Sequence, residues 1–394
     1  MFKGRFLRGA AAVCGALFFT ATGLRVLASC ASYGLPFTDL GSTAFCAQIA
    51  EAYFSGLTNG TSATTFSPTA TVNRTQMAAF VTRTLDQSLA RGGRRAALRQ
   101  WWNSTPHYDQ GLGLTTVGNT PQRIQSDGVD VWTPNNADAS VSRVRASDGK
   151  VLDTWTGATH AIDVLIAMNK IFVAGNTSPN GSLYEIDPSQ PGTTVTTLIS
   201  TLGNDVALAF DGNFIWTANF DGSVSKITPG AWTFTTASNG FSQPGGILFD
   251  GSNIWVTDQG DNKLKKLNSD GSIALSVNVG TTPGDPLYDG HNIWVSNFGD
   301  NSLTVVRASD GVVLKTFSSG NGNQNGLNEP TGEAFDGQRI LVPNFGASTV
   351  SLFQAADLSA IGVFPIGMAN PNSACSDGTN FWVSFRLSNK IGKY

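Results

Sequence analysis

Asp250-Gly251-Ser252-Asn253-Ile254-Trp255-Val256-Thr257-Asp258 decides how this chain is read. Glycine takes positive φ in a tight turn, and the aspartate before it bonds back to the turn backbone. The residues that follow alternate at period two, as a strand leaving a hairpin must. Upstream, Gly245–Phe249 is an apolar strand entering the turn. Downstream, Lys263-Leu264-Lys265-Lys266-Leu267 alternates as a third strand, and Ser269-Asp270-Gly271 turns again before a fourth at 273–277. The unit is therefore a four-stranded antiparallel sheet.

The same unit recurs along the chain. Asp127 precedes Trp132, Asp211 precedes Trp216, Asp289 precedes Trp294 and Asp377 precedes Trp382. Asp336 opens a copy in which Leu341 stands where the tryptophan should be, and Ala167–Val173 is a degenerate one. Repeats of about 40 residues, each a four-stranded sheet, are the signature of propeller blades. Seven such units predict a seven-bladed β-propeller over residues 113–394, an all-β fold, with the repeated Trp packed between adjacent blades. The last unit holds only three strands, at 372–376, 381–384 and 390–394. Gly113–Gly118 carries the pattern of the missing outer strand and precedes the first inner strand at 121–126. A ring closed in this way hides its sheet edges.

Composition and the N-terminus point to export. Charged residues make up 13% of the chain, against about 25% in ordinary soluble domains. Residues 1–28 read as a signal peptide: Lys3, Arg5 and Arg8, then an apolar stretch, then Val26-Leu27-Ala28 at the cleavage point. Leu27-Ala28-Ser29-Cys30 also fits a lipoprotein signal that would place a lipid on Cys30. The expected localisation is extracellular or at the cell surface. Removing that basic leader makes the chain more acidic than its overall −3, so no basic stripe remains for nucleic acid. Cys30 and Cys46 can pair across a short loop in an oxidising compartment, a constraint worth about 3 kcal/mol.

Residues 37–88 form a separate small unit. Phe37-Thr38-Asp39-Leu40 leads into a first amphipathic helix carrying Phe45 and Ile49, broken by Gly56-Leu57-Thr58-Asn59-Gly60. Thr65-Phe66-Ser67-Pro68 then precedes a second helix with Asn73-Arg74-Thr75-Gln76-Met77-Ala78. This set of motifs resembles the S-layer homology (SLH) module. The resemblance implies association with cell-wall polysaccharide or peptidoglycan, with Arg74 as the contact to the polymer. The sequence departs from the family at Asn73-Arg74-Thr75-Gln76, which lacks the usual acid, and it holds one copy of the module. Residues 89–112, with Arg91, Arg94, Arg95 and Arg99, read as a linker.

The blades resemble the bacterial surface propellers with a Tyr-Val-Thr-Asn (YVTN) repeat and the streptogramin (virginiamycin B) lyases, on Ile254–Asp258 and Ile293–Asn297 with the Asp-Gly before each. The lyase resemblance implies a histidine base with a nearby Mg²⁺. Among the three histidines, His107 falls in the linker and His291 in a turn. His160, at the start of the second inner strand, is the channel-mouth candidate, together with Asp163, Asp205, Asp285 and Glu333. A lone histidine among scattered acids is not a catalytic constellation, and no nucleotide-binding or nucleophile-elbow motif is present. The expectation is a non-catalytic surface protein without a cofactor. Its propeller would serve as a binding or structural platform, with 318–329 as a further contact loop; the alternative is a secreted lyase acting at the channel mouth.

Overall fold

The computed structural model describes residues 35–40, 49, 61–62, 64–71, 77, 113–177, 180–319 and 325–394, with backbone alone at Asp205 and Val206. The signal peptide, Cys30, Cys46, Arg74, His107 and the linker all lie outside these residues. The chain divides into two compact units, residues 1–103 and 104–394.

In the first unit, Phe37, Leu40 and Ile49 are buried with Leu35 and Phe66 against them. The Asp39 carboxylate accepts the backbone N–H groups of Phe66 (2.8 Å) and Ser67 (2.7 Å). Those two bonds join Phe37-Thr38-Asp39 to Thr65-Phe66-Ser67-Pro68. Ile49 and Met77 have helical backbone; the rest of both expected helices lies outside the described residues.

The second unit is a seven-bladed β-propeller. Seven four-stranded antiparallel sheets follow in chain order: blade 1 spans 125–156, blade 2 161–202, blade 3 205–237, blade 4 244–278, blade 5 283–318 and blade 6 334–365. Blade 7 takes three strands from 371–393 and its outer strand from Leu114–Thr116, paired as Leu114↔Gly392, Thr115↔Ile391 and Thr116↔Lys390. The two ends of the ring thus share one sheet.

The Trp of each repeat lies between blades. Trp132, Trp216, Trp255, Trp294 and Trp382 are at most 2% exposed. Trp132 packs on Val164 and Val173 of blade 2, Trp255 on Ile293 and Val295 of blade 5, and Trp382 on Val131 and Val144 of blade 1. Each indole N–H donates to the aspartate five residues earlier, at 2.7 Å in Trp216–Asp211, Trp255–Asp250 and Trp294–Asp289. The other Asp oxygen accepts two turn N–H groups, as Asp250 does from Ser252 and Asn253. One carboxylate therefore fixes the turn and the wedge together. In blade 6, where Leu341 replaces Trp, Arg339 donates to the Asp336 oxygen instead (2.8 Å). Blade 2 lacks the aspartate and turns on Met168 and Asn169, both at positive φ, the two-residue hairpin geometry that matches strand twist.

The inner strands are irregular at their channel ends. Register shifts fall between Ala161 and Asp163, Asp205 and Ala207, Pro244 and Gly246, Pro283 and Pro286, and Pro371 and Ser373. Such bulges re-aim side chains, here into the channel. Gly246 marks a close approach of blades 4 and 5: a Cβ there would stand 2.7 Å from Pro286 Cδ and 2.9 Å from Asp285 Cα.

Candidate functional site

The channel residues come from the bulged starts of the inner strands. Arg123, just before the inner strand of blade 1 (Gln125–Ser126), reaches across to the far side of the ring. Its Nε donates to Asp285 Oδ2 of blade 5 at 2.7 Å, and its Nη2 donates to Asp285 Oδ1 and to the Gly245 carbonyl of blade 4 (2.8 Å). A bidentate guanidinium–carboxylate pair of this kind has fixed geometry. Burial works against the charged guanidinium, but Asp285 and Asp163 outweigh it and raise its pKa. This arginine was not among the residues expected to form the site.

The pair separates two cavities. The wider, of about 660 Å³, opens at the end of the ring where the inner strands begin. Its rim includes residues at or just after the ends of the second strands, among them Asn136, Asn176, Phe220, Gln259, Phe298 and Arg386. The smaller, of about 310 Å³, lies further along the inner strands and is lined by Asp163, Glu333 and a mixture of polar and apolar side chains. Arg123 and Asp285 line both.

This arrangement divides the expected site residues. His160 is exposed, at positive φ, and lines the wider cavity with Asp285. Asp163 is buried and faces the smaller one; its oxygens accept the N–H groups of Val164 (2.9 Å) and Leu208 (2.8 Å). Glu333, buried to 7% exposure, accepts the Ser296 hydroxyl through Oε1, while Oε2 has no partner. The side chain of Asp205 lies outside the described residues. His291 is a turn residue, as expected, whose N–H donates to Asp289.

Among the described residues no three His, Cys, Asp or Glu side chains are grouped to hold a metal ion. The acids do not fit the Mg²⁺ implied by the lyase resemblance. Both Asp285 oxygens bind Arg123, both Asp163 oxygens bind backbone N–H groups, and His160 opens into the other cavity. The contact loop expected at 318–329 is partly core: Asn325 and Leu327 are 3% exposed, and Asn325 Nδ2 donates to the Ser318 carbonyl.

Burial sets the protonation of the channel acids. It pushes Asp163 up to about 7, with Arg123 pulling the other way, and pushes Glu333 well above the usual carboxylate range. An acid with a raised folded pKa contributes stability that is fully present below its unfolded value, near 3.9 for Asp, and is lost as pH rises through the folded value. Carboxyls held low, such as Asp187 at about 2, act only below pH 4. The unfolding stability of the full chain, read from its urea midpoint at constant slope, should therefore fall between pH 5 and pH 8 by an amount on the order of a few kcal/mol. Asp163→Asn should flatten that slope, and a midpoint that rises over the same interval would refute it.

No family model matches the sequence, and neither does any curated protein. Among solved structures, a catalytically inactive virginiamycin B lyase from Staphylococcus aureus, with quinupristin, superposes with a TM-score of 0.59 at 18% identity, covering 71% of this chain and 98% of that one. A Kuenenia stuttgartiensis hydrazine synthase gives a TM-score of 0.59 at 15% identity, covering 72% and 98%. The WD40 propeller domain of Doa1 gives 0.57 at 14%, covering 71% and 94%. Likeness at these identities establishes the propeller fold and leaves activity open.

Proposed function

We propose that this chain is an exported, non-catalytic cell-surface protein. In this reading residues 37–88 associate with cell-wall polysaccharide or peptidoglycan, and the propeller presents its wider mouth as a binding platform. The observation that carries it is the Arg123–Asp285 pair. With that pair in place, His160 and the acids Asp163 and Glu333 open into separate cavities, whereas general acid–base work needs a base within hydrogen-bond reach of its proton. The mouth instead offers amides, the rings of Phe220 and Phe298 and the Arg386 cation around a concave floor. That lining suits a neutral polar ligand, saccharide or peptide. On the anchoring side, support comes from Asp39 tying together two of the motifs on which the SLH resemblance rests.

Co-sedimentation of the full chain with purified cell wall tests the anchor. Retention is expected for the wild type, with at least a tenfold loss for Arg74→Ala; equal retention of the two removes the wall contact at Arg74. A second reading, lyase chemistry at the mouth, draws on His160 and Asp285 lining one cavity and on the structural likeness to a lyase. Incubation with quinupristin decides between them, since ring opening by the wild type would replace the platform reading.

A further inference from the structure

We infer that the smaller channel cavity is a binding site for a primary ammonium group carried on an apolar chain, with Glu333 as its anion. This site lies beyond the Arg123–Asp285 pair from the mouth assigned to the platform, and it does not depend on that reading.

The starting observation is an orphan. Glu333 is more than nine-tenths buried, lines this cavity, and has one carboxyl oxygen, Oε2, without a hydrogen-bond partner. A buried polar atom left unpaired is costly, so it calls for a donor that the protein alone does not supply. Oε2 has little open surface in the resting state. Bringing it to the cavity takes a turn about the terminal carboxyl bond, a torsion with a broad, shallow profile, and loosens the bond that Oε1 accepts from the Ser296 hydroxyl.

The surroundings select the ligand's chemistry. Three carboxyl groups, Asp163, Asp285 and Glu333, line the cavity with one guanidinium, Arg123, which Asp285 holds, so an entering cation meets acids that can ionise toward it. The other titratable group facing Glu333 is the Cys375 thiol, which burial keeps protonated. On the strand paired with it, Arg339 is engaged by Asp336. A divalent cation needs six or more oxygens at once, and here a single carboxyl oxygen is vacant. One vacant acceptor matches an N–H donor. Ile124, Leu208, Ile247, Leu287 and Phe335 give one apolar stretch of an otherwise polar lining, against which the chain carrying the cation can lie, and about 310 Å³ is at the lower end of small-molecule sites. Binding ionises Glu333: its proton passes to solvent as the ammonium N–H takes over the carboxylate.

Isothermal titration of the full chain with n-hexylammonium and, separately, with 1-hexanol tests the site. The wild type should bind the ammonium at least tenfold more tightly than the alcohol, and more tightly at pH 8 than at pH 6. Glu333→Gln, which keeps an acceptor for the Ser296 hydroxyl, should abolish the preference; Leu287→Trp, which fills the cavity, should block both probes. His160→Ala, at the other mouth, should change neither, which separates this site from the platform reading. Equal binding of the two probes to wild type, no binding of either, or an undiminished preference in Glu333→Gln would overturn the assignment.

Discussion

Trp255→Ala is expected to destabilise the propeller by about 3–5 kcal/mol, read as a shift in the urea midpoint at constant slope. Trp255 is fully buried between blades 4 and 5, against Ile293 and Val295. Truncation opens a void that two rigid sheets cannot collapse to fill, and it removes the indole donor from Asp250. The two contributions separate by substitution. Trp255→Phe keeps most of the ring's packing and loses the indole bond, so it should cost only about 1–2 kcal/mol. If alanine and phenylalanine cost the same, the wedge carries little and the turn bond carries the effect. If alanine costs under about 1 kcal/mol, neighbouring blades do not depend on this residue for their contact.

The same pairing explains how far the fold was legible. Asp-Gly turns, alternation and the seven-fold period are local signals, and they located every blade and the shared closing sheet, including the copy where Leu341 replaces Trp. The spacing of five residues between Asp and Trp was equally visible, yet its meaning is spatial. In the sequence the aspartate accounts for the turn, and only the folded strand brings its second oxygen to the indole. Blade 6 makes the point: Arg339 takes the indole's place at Asp336, an exchange no pattern of apolar residues reveals.

The channel was less legible for a definite reason. Period-two alternation assigns faces correctly while the register holds, and the inner strands lose register where they enter the channel. Asp163, Asp285 and Glu333 could be named as inner-strand acids, but not sorted into two cavities. Arg123 was overlooked because its partners lie 162 and 122 residues away, and a single arginine near the first inner strand carries no motif. The anchoring half stands differently: Arg74 and most of both helices lie outside the described residues, so the SLH reading still rests on motifs and on the Asp39 contacts.

Lys265→Met should cost about 3–5 kcal/mol, the typical result of removing one partner from a buried ion pair. In blades 1, 3, 5 and 6 the second strand ends in an asparagine whose amide donates to hydroxyls of the third strand, as Asn219 does to Ser223 and Ser225. Blade 4 places Asp258 at the asparagine position and Lys265 at that of Ser225. Their side chains are 0% and 2% exposed and meet at 2.6 Å, and Lys265 Nζ also reaches Asp261 and the Gly240 carbonyl. Burial pushes the Asp258 carboxyl up, but Lys265 and the N–H groups of Ser242 and Gln243 outweigh it and hold the pKa below the usual value. The pair's stabilisation is therefore present above about pH 4 and is lost as pH falls through the lowered pKa. Methionine preserves much of the lysine's volume while leaving Asp258 a buried charge without its counter-ion, so the variant's deficit should be larger at pH 7 than at pH 4. Adding Asp258→Asn removes that charge and should recover at least half of the loss in a double-mutant cycle. Additive losses would show that Lys265 acts through packing alone, and that the ion pair is incidental to how blade 4 holds its strands.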